Sequence, residues 1–143
     1  MIIFLRHGQA ENNTKKILAG RTPGINLTEQ GKEQAEQAGE MIKSLNNTAI
    51  YSSPIDKAIQ TAEIVGKHCD VKPILNDRLI ELDMGKFTMM PYDEIFASHG
   101  NVFLKFYEGS LEISHNGVES FSEVQKRVFD IVDFVKNSHK DEN

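Results

Sequence analysis

The feature that most constrains the fold is a short apolar run, Ile2 to Leu5, which ends directly at Arg6-His7-Gly8. A continuous apolar run of this length, rich in branched residues, favours a β-strand buried on both faces, as in a parallel sheet. Ligands of open α/β sheets bind beyond the carboxyl ends of the strands. The sequence therefore predicts a buried first strand that places Arg6 and His7 at the functional edge of a sheet.

Strand and helix patterns alternate along the rest of the chain. Thr28 suits the N-cap of a helix, Ser53 with Pro54 suits the start of another, and Ser120 with Glu123 forms a capping-box pattern. The alternation predicts a single α/β domain over residues 1–143 with a mostly parallel sheet. Beyond the first strand, strands are predicted at 49–51 and 71–75, and helices at 28–45, from 53 to about 65, 91–98, 103–107 and 121–135.

Composition excludes several classes of function. The 16 Lys and Arg residues against 21 Asp and Glu give a net charge of −5, so no broad positive field is available for nucleic acid. No apolar stretch approaches the roughly 18 residues of a membrane helix, and the apolar start is too short for a signal-peptide core. The lone Cys69 excludes a disulfide framework and favours a reducing cytoplasm. The HExxH pattern is absent, so we expect no metal site, and the phosphate-loop pattern is absent, so we do not expect nucleotide hydrolysis of that kind.

The tripeptide Arg6-His7-Gly8 carries the first candidate chemistry. An imidazole in this position could attack phosphorus through one ring nitrogen while a backbone carbonyl orients the other. Arg6 could neutralise a phosphoryl group, and Gly8 permits a tight turn and close approach of a ligand. The same tripeptide is also compatible with a histidine that merely ends a strand.

Several segments together resemble the histidine phosphatase superfamily, the phosphoglycerate-mutase-like proteins. They follow the family's order and span nearly the whole chain. They are Arg6-His7-Gly8-Gln9, Asn13, Leu18–Pro23, Leu27–Gly31, Tyr51–Ala62, Leu79–Gly85 and Gly117–Ser120. The resemblance implies a three-layer α/β sandwich with a mostly parallel sheet, no cofactor and a small phosphorylated substrate.

The resemblance also implies roles for individual residues. His7 would be the nucleophile that forms a phosphohistidine, and Glu81 the acid that protonates the leaving oxygen. A carboxyl group keeps a proton near neutral pH only where burial or a like charge disfavours ionisation, so Glu81 is expected to be partly enclosed. Arg6 and Asn13 would hold the phosphoryl oxygens. Arg21 would contact the rest of the substrate, although it is equally compatible with a surface arginine.

The sequence departs from the family pattern in two places. Lys57 stands where the family usually has arginine, which keeps the charge but loses the planar fork; alternatively, Lys57 is a solvated residue of its helix. The family's later strand, which ends in a second His-Gly, has no match before Asn143, and His139 and His115 do not fit its motif. The resemblance therefore implies a domain that is incomplete at its C-terminus. Either the natural protein continues past Asn143, or this chain is defective or depends on a partner, such as a second copy that pairs with its exposed sheet edges.

Three functions remain open on these grounds. The first is a phosphatase that acts on a small phosphomonoester through phospho-His7. The second is a phosphoglycerate mutase, which needs the same pocket. The third is a non-catalytic module that binds a phosphorylated ligand, which the missing histidine and Lys57 favour. The aromatic and Met-rich stretch from Met84 to Gly109 is interpreted either as a specificity region or as cover for the core.

Overall fold

A computed structural model describes residues 1–46 and 48–140. Within those ranges, no helix is long and apolar enough to cross a membrane. The helices and strands are α1 (Glu11–Thr14), α2 (Glu29–Ile42), β1 (Ile50–Ser52), α3 (Asp56–Cys69), β2 (Pro73–Leu75), α4 (Tyr92–His99), α5 (Val102–Tyr107), α6 (Leu111–His115) and α7 (Phe121–Ser138). Short 3₁₀ turns lie at Lys43–Leu45, Asp77–Leu79 and Gly85–Phe87.

The strands β1 and β2 form a parallel pair joined through α3. Ile50 lies opposite Pro73 and Ser52 opposite Leu75. The β-α-β alternation predicted from the sequence is confirmed here. The strand predicted at 49–51 lies one residue later, and the strand predicted at 71–75 begins only at Pro73. The carboxyl end of β1 leads directly into the turn before α3, so polar residues early in α3 lie near the functional edge of the sheet.

The predicted first strand is wrong in this structure. Ile2, Ile3, Phe4 and Leu5 form no strand, and they are 37, 38, 75 and 49% exposed rather than buried on both faces. A strand is maintained by a ladder of hydrogen bonds to a neighbour. Within residues 1–46 and 48–140, no backbone hydrogen bond joins this segment to β1 or to any other segment.

A broad apolar groove separates the same segment from β1. Its volume is about 1140 Å³, and α7 provides another of its walls. The second edge of β1 faces no other strand in the part of the chain that is described. The main apolar side chains that line the groove are Ile2, Phe4, Ile50, Val128, Ile131 and Val135.

Two of the predicted helix starts are confirmed and one is wrong. Thr28 Oγ1 accepts a hydrogen bond from the Gly31 amide at 3.0 Å, and Ser120 forms its capping box with Glu123. The helix predicted from Ser53 begins instead at Asp56, because the carbonyl of Ile55 accepts the first bonds from the amides of the following turn. Ser53 Oγ is buried without a hydrogen-bond partner.

The core lies where the segment after β2 folds back against α4, α5 and α6. Phe87 and Phe106 are buried in it, which supports the interpretation of the 84–109 stretch as core cover. Helix α6 falls in a stretch that the sequence pattern left irregular. The buried residues of this cluster are Leu18, Met84, Phe87, Ile95, Val102, Phe106, Ile113 and Val118.

Candidate active site

The imidazole of His7 is held in one orientation by the adjacent backbone. Its Nδ1 lies 2.7 Å from the carbonyl oxygen of Gly8, a contact that assigns the ring proton to Nδ1. Nε2 is then the nitrogen with a lone pair for attack. Burial lowers the pKa of His7; the Gly8 carbonyl opposes that effect, and the charges of Lys57 and Arg6 lower the pKa further. The net lowering favours the neutral imidazole, the form a nucleophile requires.

Close backbone contact fixes the turn after His7. A Cβ on Gly8 would collide with the carbonyl oxygen of Gly31, and a Cβ on Gly31 would collide with that of Gln9. The Gly8 amide also donates to Thr61 Oγ1 at 3.1 Å, which ties the turn to α3. The glycines at the His-Gly and Leu-Thr-x-x-Gly motifs therefore let the start of α2 pack directly against the turn after His7.

A cavity of about 360 Å³ brings together His7 and all but one of the other predicted site residues. Arg6, Asn13, Lys57 and Glu81 line it beside His7. Arg6, His7 and Glu81 also line the apolar groove, so the two spaces adjoin at the candidate nucleophile. The cavity lining is completed by Asn12, Leu18, Ala19, Gly20, Leu82, Met84, Tyr92 and Phe103.

Lys57 and Glu81 face each other across the cavity wall. Lys57 is only 5% exposed, so its interpretation as a solvated helix residue is wrong. Burial lowers the pKa of Lys57, the Glu81 carboxylate opposes that effect, and Arg6 adds to it. Lys57 Nζ lies 3.8 Å from Glu81 Oε2. The Glu81 side chain is 40% exposed, which agrees with the partial enclosure expected of it.

Asn13 is held so that its amide nitrogen remains a donor. Its Oδ1 accepts a hydrogen bond from the Ala10 amide at 2.9 Å. The preceding Asn12 is buried, and its Nδ2 donates to the Ile17 carbonyl at 3.0 Å while its Oδ1 has no partner. Asn12 therefore ties α1 to the backbone at Ile17 beside the cavity, and Asn13 can present an N–H to an anion.

Arg21 is the predicted site residue that the structure does not place in the cavity. Its Nε donates to the backbone carbonyl of Glu81 at 2.7 Å, and its Nη2 donates to Glu119 Oε2 at 3.0 Å. Its Nη1 lies 3.6 Å from Asp83 Oδ2. The guanidinium is thus surrounded by groups of the protein itself.

Apart from His7, the histidines lie away from the cavity wherever the structure describes them. His115 ends α6, and His139 Nε2 lies 3.0 Å from the hydroxyl of Tyr51 in the groove. Across residues 1–46 and 48–140, no group of three His, Cys, Asp or Glu side chains could hold a metal ion. The cavity is therefore a site with one histidine, two cations and one carboxylate.

Sequence reasoning missed some of the residues that line the cavity. Asn12 adjoins a predicted residue, but nothing in the sequence indicates that it is the buried one. Tyr92 and Phe103 both lie in the aromatic-rich 84–109 stretch, where the pattern alone did not separate cavity-lining rings from core rings. Their contribution gives the cavity an apolar wall.

Comparison with known families identifies the chain's relatives. The model of the histidine phosphatase superfamily (branch 1) matches residues 2–143. A probable phosphoglycerate mutase from Salmonella paratyphi C is 31% identical over 127 residues, which cover 89% of this chain and 59% of that protein. Phosphoserine phosphatase 1 from Hydrogenobacter thermophilus is 28% identical over 141 residues, covering 96% and 65%.

Solved structures share the fold. A mycobacterial glucosyl-3-phosphoglycerate phosphatase in complex with VO3 superposes with a TM-score of 0.84 at 28% identity, covering 94% of this chain and 63% of that one. Bacillus stearothermophilus YhfR gives a TM-score of 0.81 at 29% identity, covering 94% and 66%. The α/β fold inferred from the sequence is thereby confirmed. The chain spans about 59 to 66% of the length of these relatives.

Proposed function

Because this chain belongs to the histidine phosphatase superfamily, we propose that it hydrolyses a small phosphomonoester through a phosphohistidine on His7. The observation that carries the proposal is the contact of His7 Nδ1 with the Gly8 carbonyl, which leaves Nε2 for attack in a cavity with two cations. Arg6, Lys57 and the amide of Asn13 supply the donors that a phosphoryl dianion requires.

The first chemical step forms the phosphoenzyme. His7 Nε2 attacks phosphorus, and the bond between phosphorus and the leaving oxygen breaks with its electron pair on that oxygen. Glu81 gives its proton to the leaving oxygen, so that the product departs as an alcohol. Arg6 and Lys57 offset the negative charge of the phosphoryl oxygens during the transfer.

The second step regenerates the enzyme. The Glu81 carboxylate takes a proton from a water molecule, whose oxygen attacks the phosphoryl group on His7. The bond between phosphorus and Nε2 breaks, inorganic phosphate leaves, and both His7 and Glu81 return to their starting protonation. These two reaction steps require no redox partner or cofactor.

The distribution of positive charge favours a phosphatase over a mutase. Within the described ranges, the cations that line the cavity are Arg6 and Lys57, and both are close enough to His7 to lower its pKa. A phosphoglycerate also presents a carboxylate, which needs a further cation. Arg21, the residue expected to contact the rest of the substrate, already contacts Glu119 and Asp83. The remaining wall is largely apolar and suits an uncharged leaving group.

Hydrolysis of p-nitrophenyl phosphate by the 143-residue chain tests the proposal. We expect turnover that falls at least ~10³-fold in His7→Ala. The exposed His115→Ala is the control, since His115 ends α6 outside the cavity lining and its replacement should leave turnover unchanged. Equal turnover by the wild type and His7→Ala would refute the proposal.

A non-catalytic module that binds a phosphorylated ligand is the second candidate. One observation favours it: in the part of the chain that is described, His7 is the single histidine that lines the cavity. Titration calorimetry with inorganic phosphate separates the two functions. Binding that Arg6→Ala abolishes, together with no turnover dependent on His7, would support the module instead of the enzyme.

We also propose that the open edge of β1 and the segment before His7 pair with a second copy of the chain. The apolar groove between them supports this, since unpaired strand edges beside apolar side chains are prone to association. Light scattering across a concentration series should show a dimer, and a mass of 16.1 kDa at every concentration would refute it. The cytoplasmic location indicated by Cys69 likewise remains a proposal.

A further inference from the structure

We propose that Arg21 is a positioning residue that holds the backbone of the proton donor Glu81, rather than a residue that binds substrate. The inference rests on the proposed function, because it assigns Glu81 the role of acid. Its starting observation is the 2.7 Å hydrogen bond from Arg21 Nε to the carbonyl oxygen of Glu81. A carbonyl held in place fixes the direction in which its own residue's side chain leaves the backbone.

The other nitrogens of Arg21 are held by acidic side chains. Nη2 donates to Glu119 Oε2 at 3.0 Å, and Nη1 lies 3.6 Å from Asp83 Oδ2. The Glu119 side chain is only 13% exposed, so this ion pair lies in a partly desolvated environment. Each guanidinium nitrogen of Arg21 is therefore directed to an acceptor of the protein, and Arg21 is outside the cavity lining.

Glu119 links Arg21 to the same backbone segment a second time. Its Oε2 accepts from the Asp83 amide at 3.3 Å, while its own amide donates to the Asp83 carbonyl at 2.9 Å. Arg21 therefore binds the segment at Glu81 directly and at Asp83 through Glu119. These contacts lie on both sides of Leu82, whose amide donates to Glu81 Oε1 at 3.0 Å.

Arg127 supports the cluster from α7. Its Nε and Nη2 donate to the two oxygens of Glu119 at 2.9 and 3.0 Å. Its Nη1 donates to the carbonyl of Arg78 at 2.8 Å, three residues before Glu81. Glu119 is thus fixed by two guanidinium groups, but Arg21 is the one that reaches the Glu81 carbonyl.

The chemistry of the cluster requires arginine at position 21. A planar guanidinium can donate in several directions at once, to a carbonyl through Nε and to carboxylates through its Nη atoms. A lysine ammonium retains the charge near Glu119 but cannot reproduce that fork. Arg21→Lys should consequently keep the fold while loosening the position of Glu81.

Leaving-group dependence gives the decisive measurement. A misplaced proton donor matters for a leaving group that needs a proton, such as an alkoxide, and little for a good leaving group such as 2,4-dinitrophenolate. For Arg21→Met we expect kcat/KM to fall about 100-fold with phenethyl phosphate and less than about threefold with 2,4-dinitrophenyl phosphate. Arg21→Lys should give an intermediate loss with the same selectivity.

The control is Lys105→Met, which removes a surface ion pair with Glu112 and should affect neither substrate. An equal loss with both substrates would overturn the proposal in favour of a general structural role. A rise in KM at unchanged kcat for both substrates would overturn it in favour of substrate binding.

A second readout does not depend on turnover and so separates this proposal from the proposed function. The amide signal of Leu82 should follow the titration of Glu81 by NMR, because the two groups are hydrogen-bonded. Arg21→Met and Arg21→Lys should reduce that pH-dependent shift by at least half, and Lys105→Met should preserve it. An unchanged shift in Arg21→Lys, or in a folded Arg21→Met, would overturn the proposal even if His7 proved catalytically inert.

Discussion

The chain on either side of His7 is held in opposite ways. After His7, the turn at Gly8 packs against the backbone of Gly31 and bonds to Thr61. Before His7, the residues Met1–Leu5 are exposed and, among the described residues, have no backbone hydrogen bonds to a neighbouring strand. His7 is therefore positioned mainly from its C-terminal side, by the turn at Gly8, rather than by the segment before it.

Gly31→Ala should disrupt the tightly packed turn after His7 and have the largest effect on stability. The new Cβ would collide with the backbone of Gln9, so we expect a loss of about 3 kcal/mol in the free energy of unfolding and a displaced His7 turn. Urea denaturation measures the loss. Gln37→Ala in the same helix is the control: Gln37 is exposed, so its truncation should change the free energy of unfolding by no more than about 0.5 kcal/mol. Equal losses of unfolding free energy in the two variants would show that close packing at Gly31 does not hold the turn after His7.

Lys57→Met should perturb His7 by removing a nearby positive charge. Lys57 lowers the pKa of His7, so its removal should raise that pKa and move the acid limb of kcat/KM to higher pH. Loss of a phosphate contact should also lower kcat/KM about 30-fold, or ~2 kcal/mol. A pH–rate profile measures both effects.

The exposed Lys67 lies near the end of α3, on which Lys57 also lies, and Lys67→Met provides the control. A shift of the acid limb to lower pH in Lys57→Met would contradict the expectation that Lys57 lowers the pKa of His7.

Glu119→Gln should lower the free energy of unfolding and make it depend less on acid pH. Burial raises the pKa of Glu119, but the Arg127 hydrogen bond, the Asp83 amide and the charges of Arg127 and Arg21 hold it below its usual value. The stabilisation is then fully present above about pH 4.5 and is lost as the pH falls through the lower folded-state value. Glu119→Gln should cost about 1 kcal/mol at pH 7 and flatten this acid dependence.

Denaturation at several pH values tests that expectation. The exposed Glu63→Gln on α3 is the control and should leave the acid dependence of stability as it is in the wild type. An equally steep acid loss in Glu119→Gln would show that other groups are responsible for it.

Phe4→Ser should have the smallest effect on stability, because it alters the exposed segment before His7. Phe4 is 75% exposed, so the free energy of unfolding of the monomer should change by no more than about 0.5 kcal/mol. Denaturation of dilute protein measures this, with Ile131→Ala as the contrast: Ile131 is 3% exposed and its truncation should cost about 2–5 kcal/mol. A loss above 1 kcal/mol in Phe4→Ser would mean that the segment before His7 is part of the core.

Sequence patterns succeeded where the physics is local or where one motif fixes a close contact. The caps at Thr28 and Ser120 need only residues within one turn, and both are found in the structure. Gly8 and Gly31 belong to separate motifs, yet Gly8 is needed because the Gly31 backbone is close, and Gly31 because the Gln9 backbone is close. Arg6, Asn13, Lys57 and Glu81 line one cavity with His7, a grouping that the resemblance to the family implied.

The failures concern interactions that are not encoded locally. Whether Ile2–Leu5 is a strand depends on a neighbour that must pair with it, and no pattern within the run reveals that neighbour. A sequence also does not show whether Arg21 faces a ligand or Glu119, which lies far along the chain. The Ser53-Pro54 pattern predicts the start of α3 too early, because the backbone stays extended as far as Ile55.

The shared lining of the cavity and the groove has a thermodynamic consequence. Arg6, His7 and Glu81 belong to both spaces, so a ligand in one and an occupant of the other are coupled through the same side chains. Linkage is reciprocal: if a strand in the groove tightened phosphate binding tenfold, phosphate would tighten the strand's binding tenfold, which is about 1.4 kcal/mol in each direction. If the cavity binds phosphate as proposed, the phosphate affinity is also a gauge of how the sheet edge is occupied.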